Sequence, residues 1–98
     1  MVKVVLDNII SGDWNVSVGN NAGASQGTSD GNTFVGWKAG YSVNEGAYNT
    51  AVGFEALVGM SNEPDYNTAV GHQAGKQITS GNNNLALGTE ALRSGSPG

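Results

Sequence analysis

One short phrase returns five times along this chain, at nearly constant spacing. The copies are Asn15-Val-Ser-Val-Gly19, Asn32-Thr-Phe-Val-Gly36, Asn49-Thr-Ala-Val-Gly53, Asn67-Thr-Ala-Val-Gly71 and Asn84-Leu-Ala-Leu-Gly88. The steps between the glycines are 17, 17, 18 and 17 residues. Three residues beyond each glycine stands an alanine: Ala22, Ala39, Ala56, Ala74 and Ala91. Gly23, Gly40, Leu57, Gly75 and Leu92 come next. A chain that repeats itself at a short fixed period stacks like upon like. This period is too short for ankyrin or tetratricopeptide units. It suits one solenoid coil of two short strands and two turns. Coils stacked ~4.8 Å apart would make a five-coil rod roughly 24 Å long.

Each repeated residue has a physical task. The glycines end the apolar runs, where the backbone turns sharply or takes a positive φ. Asn15, Asn32, Asn49, Asn67 and Asn84 would stack, their amides pairing donor to acceptor along the rod. Val18, Val35, Val52, Val70 and Leu87 precede the glycines, and Ser17, Phe34, Ala51, Ala69 and Ala86 precede those. Adjacent strand residues point to opposite faces, so both faces of this strand are apolar or small. One face packs inside the coil. The other needs a partner, and so short a chain has little left to cover it, which implies self-association.

The stretches between the phrases (24–31, 41–48, 58–66 and 76–83) read as turns and exposed edges. Glu63-Pro-Asp65 is a turn signal inside the longest of them. Phe54-Glu-Ala-Leu57 and Thr89-Glu-Ala-Leu-Arg93 read as single helical turns. Residues 1–14 form a leading strand or N-terminal cap, 15–92 the five-coil domain, and 93–98 a tail. The opening apolar run stops at Asp7, too short for the apolar region of a signal peptide.

Composition narrows the function. The chain has 98 residues, enough for one domain with a thin core. It has no cysteine, so no disulfide can compensate, and the redox compartment stays open. Charged residues make up 12%, about half the globular norm. With Val, Ala and aromatic content retained, that indicates an ordered stack rather than a disordered tail. The net charge is −4, and Lys3, Lys38, Lys76 and Arg93 are scattered. Nucleic-acid binding, which needs clustered basic residues, is excluded. No apolar run reaches the length of a membrane-spanning helix.

The phrases Asn49-Thr-Ala-Val-Gly53-Phe-Glu-Ala-Leu57 and Asn67-Thr-Ala-Val-Gly71-His-Gln-Ala-Gly75 resemble the head repeats of trimeric autotransporter adhesins. They are similar to related repeats of phage tail fibres. The resemblance covers about residues 15–92. It implies an all-β, left-handed parallel β-roll, a homotrimer, and an attachment role at a cell surface or on a virion fibre.

No residue set suggests catalysis, a cofactor or a metal. His72, the sole histidine, occupies a position filled elsewhere by Asn20, Trp37, Phe54 and Thr89. Zinc needs more His or Cys than that. Asp30, Glu45, Glu63 and Asp65 lack the spacing of calcium-binding repeats and read as solvated turn charges. A glycan hydrolase needs paired carboxylates, and Glu55 and Glu90 lie two coils apart, roughly 10 Å at the stacking distance. The aromatics offer more. Trp37, Phe54 and His72 share one position in successive coils, and Tyr48 and Tyr66 share another. They read either as stacking faces for flat sugar rings or as packing across a trimer seam. The expectation is a non-enzymatic homotrimeric β-roll acting as adhesive head or fibre segment, with a glycan or a matrix or surface receptor as its target. An ice-binding solenoid, on the aligned Thr33, Thr50 and Thr68, and a purely structural spacer are the alternatives.

Overall fold

Each repeated phrase contributes one short strand. The computed structural model describes residues 14–25, 30–43, 45–60, 65–79 and 81–92. The strands are β1 (Val16–Val18), β2 (Thr33–Val35), β3 (Thr50–Val52), β4 (Thr68–Val70) and β5 (Leu85–Leu87). They form one parallel sheet in chain order, β1-β2-β3-β4-β5. The register matches the sequence alignment residue for residue: Ser17, Phe34, Ala51, Ala69 and Ala86 pair in succession. The chain is therefore an all-β solenoid, with four complete windings between its five strands. The cap expected over 1–14 and the tail over 93–98 lie outside the described residues, Trp14 excepted.

The rest of each coil differs from the expected second strand. It is a run of overlapping β-turns. In the third coil, Ala56 N–H donates to the Gly53 carbonyl at 3.2 Å, Val58 to Glu55 at 3.2 Å and Met60 to Leu57 at 3.4 Å. Glu55 and Leu57 have φ of 58° and 53°, the left-handed value that the third residue of a type II turn takes. Phe54–Leu57 and 89–92 are thus turns of this kind and not helical turns. The repeated left-handed residues rule out a helix, whatever the helix propensity of Glu-Ala-Leu.

Eleven of the twelve non-glycine residues with positive φ sit in three repeat columns. Asn21, Lys38, Glu55, Gln73 and Glu90 stand two residues after the glycine. Leu57 and Leu92 stand four after it, and Trp14, Tyr48, Tyr66 and Asn83 just before the lead asparagine. Left-handed backbone is costly for such residues. What holds them there is pairing between coils. Glu55 N–H donates to Trp37 O at 2.8 Å and Gln73 N–H to Phe54 O at 2.7 Å. In the opposite direction Gly40 N–H donates to Ala56 O at 2.8 Å and Gly75 N–H to Ala91 O at 2.7 Å. The corners carry a ladder as the strands do.

The asparagine ladder forms as expected, and it uses the backbone too. Asn49 Oδ1 accepts from both the backbone N–H and the Nδ2 of Asn67, each at 3.0 Å. Asn32 Oδ1 serves Asn49 the same way, at 2.9 and 3.1 Å, and Asn67 Oδ1 serves Asn84 at 2.9 and 3.0 Å. At the start of the row Asn15 Oδ1 accepts from Asn32 N–H at 2.9 Å. Asn32, Asn49 and Asn67 are fully buried. Buried amides are tolerated because each is bonded to the next.

The core is a narrow channel of small residues. Phe34, Ala51, Ala69 and Ala86 face it from the strands, and Ala22, Ala39, Ala56 and Ala74 from the turns. Val43, Met60 and Ile78 complete it, all buried. These three stand seven residues after the glycine, inside stretches that read as exposed turns; the structure places them in the core instead. Bulk is traded between columns. A Cβ on Gly40 would fall 2.5 Å from the Phe34 ring, and one on Gly75 would fall 2.8 Å from Leu57 Cδ2. Phe34 goes with Gly40, and Ala51 with Leu57, so each coil has one large group and each channel section is filled once.

Candidate interaction surface

The strand alternation decides what reaches solvent. The middle residue of every strand is buried, and the flanking two are half-buried or exposed. The Val18, Val35, Val52, Val70, Leu87 column therefore points outward, and the smaller residues between point in. The second outward column is Val16, Thr33, Thr50, Thr68 and Leu85. Glycines bound the sheet on one side, and an approach of 2.5–2.9 Å between a glycine Cβ and the next coil's backbone enforces them at Gly19, Gly36, Gly53 and Gly71.

Beyond each glycine stands the first aromatic row. Trp37 and Phe54 stack with centroids 4.8 Å apart and planes at 15°, and Phe54 and His72 stack at 5.2 Å and 9°. Before each lead asparagine stands the second. Tyr48 and Tyr66 stack at 5.3 Å and 15°, and the Tyr48 ring occupies the space that a side chain on Gly31 would need. The alignment brought these residues together correctly. Their ring faces are turned on one another, so the inner faces of both ladders are closed to a ligand. Lys38 Nζ lies 4.6 Å from the Trp37 ring centre and 5.1 Å from that of Tyr41, a cation–π arrangement at the end of the first ladder.

Alternate positions from the residue before the lead asparagine to the residue after the glycine make one continuous outer face. In the third coil these are Tyr48, Thr50, Val52 and Phe54. In the fourth they are Tyr66, Thr68, Val70 and His72. Four positions in five coils give twenty, and none is Asp, Glu, Lys or Arg. Nine of the ten large hydrophobics exposed among the described residues lie on this face; Tyr41 is the exception. Sequence reading missed the face as a unit, and missed Trp14 within it, because the repeat was anchored on Asn-to-Gly alone.

The charges lie elsewhere and are occupied in joining coils. Glu55 Oε1 accepts from Gln73 Nε2 at 2.9 Å and pairs with Lys76 Nζ at 3.3 Å. The Gln73 hydrogen bond, then Lys76, hold its carboxyl below the usual glutamate value despite partial burial. Asp65 Oδ1 accepts from Ala47 N–H at 2.8 Å, and Asn82 Oδ1 from Asp65 N–H at 2.8 Å. The side chains 65 and 82 thus cap the preceding coil. Of the four acids weighed as calcium ligands, Glu63 lies outside the described residues; among the described residues no three His, Cys, Asp or Glu gather at one place. No described helix is long and apolar enough to cross a membrane. Comparison with protein-family models, curated proteins and solved structures finds no match.

Proposed function

We propose that this solenoid is a non-enzymatic, self-associating module, a homotrimeric left-handed β-roll that serves as an adhesive head or fibre segment of a cell-surface or virion attachment protein. The observation that carries this reading is the outward strand face. Val18, Val35, Val52, Val70 and Leu87 line it where an isolated sheet would present polar residues to water. Exposed apolar faces of this extent mark interaction sites. The coil geometry supports a length-setting role as well, since every winding is fastened to the next through backbone and asparagine bonds and adds the same rise. The target of attachment is a glycan or a matrix or surface receptor. Sedimentation velocity on the full chain tests the reading: it expects a species of three chains of 9.9 kDa each, and a stable single chain at all concentrations overturns it.

One observation favours a second reading. Thr33, Thr50 and Thr68 stand in register on the outer face, one per coil. Such a row is a candidate for ordering water at an ice surface, although Val16 and Leu85 interrupt it at both ends. Measurable thermal hysteresis would support ice binding, and its absence removes it.

A further inference from the structure

We infer that the charge-free outer face lines the axis of a three-chain ring, with the tyrosine ladder of one copy against the Trp37-Phe54-His72 ladder of the next. This rests on the self-association proposed above and assigns the surface that performs it. The occupant is a second copy because of three features of the face.

The first is area. Trp14, Trp37, Tyr48, Phe54 and Tyr66 are 78, 38, 48, 42 and 59% exposed. At 150–250 Å² per aromatic side chain, they alone present about 400–650 Å². That is already about the largest apolar patch of an ordinary monomer. Val16, Val70, Leu85 and Leu87 add to it, bringing the face toward the roughly 800 Å² that each partner contributes to a stable interface. The second is charge. Interface cores are depleted of charged side chains, and twenty positions without one fit an uncharged partner surface, which this face itself provides.

The third feature fixes the number of copies. The face spans six residue steps, a width of at most about 20 Å at ~3.3 Å per residue. Three such plates closed into a triangle stand about 6 Å from the common axis. Sheets pack face to face about 10 Å apart, so half that distance, about 5 Å, is what side chains of ordinary size fill. The triangle closes without a channel. Its two edges also differ, tyrosines on one and Trp, Phe and His on the other. A ring joins unlike edges at every corner, whereas a two-fold pairing sets each edge against its own kind or leaves it open. The aromatic ladders are then the corners of the assembly rather than a sugar site.

Hydroxyl-radical footprinting of the full chain, with sedimentation velocity on the same samples, tests this. Tyr41 is the internal reference, exposed but off the face. The expected result is a three-chain species in which Tyr48, Tyr66 and Phe54 lose at least about fivefold of their reactivity, as the core of an interface excludes solvent, while Tyr41 keeps its own. Thr50→Lys, which puts a charge at the middle of the face, should return the chain to single copies with the strand circular dichroism unchanged. Gln77→Lys, exposed and off the face, should leave the assembly intact. Three chains with Tyr48, Tyr66 and Phe54 still reactive, or dissociated by Gln77→Lys and not by Thr50→Lys, overturn the surface assignment and leave the self-association standing. A two-chain species, or protection of only one ladder, overturns the ring. Single chains at every concentration overturn both this and the proposed function.

Discussion

The glycine column offers the sharpest test of the stacked-coil architecture, because its members meet different surroundings. Consider Gly53→Ala. The new Cβ would lie 2.5 Å from Gly71 O and 2.7 Å from Gly71 C, and φ at Gly53 is 133°. Both obstacles are backbone, so no side chain can swing aside. The forbidden backbone region costs about 1–3 kcal/mol. Forcing the neighbouring coil away adds about 1–3 kcal/mol more, as overpacking does in well-packed cores. Gly88 has a positive φ too, 105°, but a Cβ there meets nothing within 4 Å. Gly88→Ala should therefore carry the backbone cost alone. The difference between the two, about 1–3 kcal/mol by the same overpacking scale, is the cost of the close approach itself.

Position along the rod must be separated from contact, since a terminal coil has only one neighbour. Gly19→Ala does this. Gly19 is in the first described coil, yet its Cβ would lie 2.9 Å from Gly36 C and O. The expected order of damage is Gly53→Ala, then Gly19→Ala, then Gly88→Ala. The assay is thermal unfolding by circular dichroism at one fixed chain concentration, because association makes Tm concentration-dependent. At about 4–8 °C per kcal/mol for a domain of this size, Gly53→Ala should melt at least about 4 °C below Gly88→Ala. Equal melting of Gly19→Ala and Gly88→Ala would refute the argument that coil contact, rather than φ alone, demands glycine.

Other substitutions probe other links. Asn49→Ala removes the acceptor for Asn67 N–H and Nδ2 in a fully buried site. It should cost about 2–4 kcal/mol, mainly for the orphaned N–H, and chemical denaturation showing less than half of that would discredit the ladder as a stabilising element. Met60→Ala should cost about 2–5 kcal/mol as a core truncation, whereas a loss near zero would return residue 60 to the exposed turn that its sequence context suggested. Phe34→Ala combined with Gly40→Leu copies the Ala51–Leu57 arrangement into the second coil, so the double variant should be more stable than the sum of its single variants predicts; additive losses would end the idea of traded bulk. Glu55, its pKa lowered first by Gln73, contributes stability above the unfolded glutamate pKa, and this is lost as pH falls through the lower folded value. Glu55→Gln should flatten that part of the pH–stability curve by less than about 1 kcal/mol, and an unchanged acid limb would show that another group governs it.

What the sequence disclosed and what it hid follow from the same periodicity. Positions fixed in residue type were legible: the Asn, Val and Gly columns aligned on paper as they pair in the sheet. The turn half was misread because its repeating feature is conformational. Asn21, Lys38, Glu55, Gln73 and Glu90 share a left-handed φ and no side-chain chemistry. Glycine or asparagine would have signalled the turn, and Lys38, Glu55 or Leu57 do not. Val43, Met60 and Ile78 were hidden for a similar reason. They are alike only in being apolar, and aligning a seventh position after glycine would have exposed them. The outer face escaped notice because its signal is the lack of charge at alternate positions, which only appears once inside and outside are known.

The placement of the costly residues connects scaffold to function. Tyr48 and Tyr66 hold left-handed backbone at a column where Gly31 and Asn83 meet the same geometry with less strain. The fold does not require tyrosine there, and it would be more stable with glycine or asparagine as far as the backbone is concerned. What the tyrosines add is a stacked pair on the outer edge. On the inner columns, by contrast, every departure from the repeat is matched by a compensating one, as Phe34 is by Gly40. Strain that is compensated serves packing, and strain that is not compensated within the coil points to a partner outside it. Replacing both tyrosines by asparagine separates the two. If the rings serve only the solenoid, the variant should lose stability in the single chain; if they serve the corners of an assembly, the single chain should be as stable or more so while the associated form dissociates at higher concentration. Denaturation measured below and above the association range distinguishes these outcomes, and a loss of equal size in both regimes would refute the corner role.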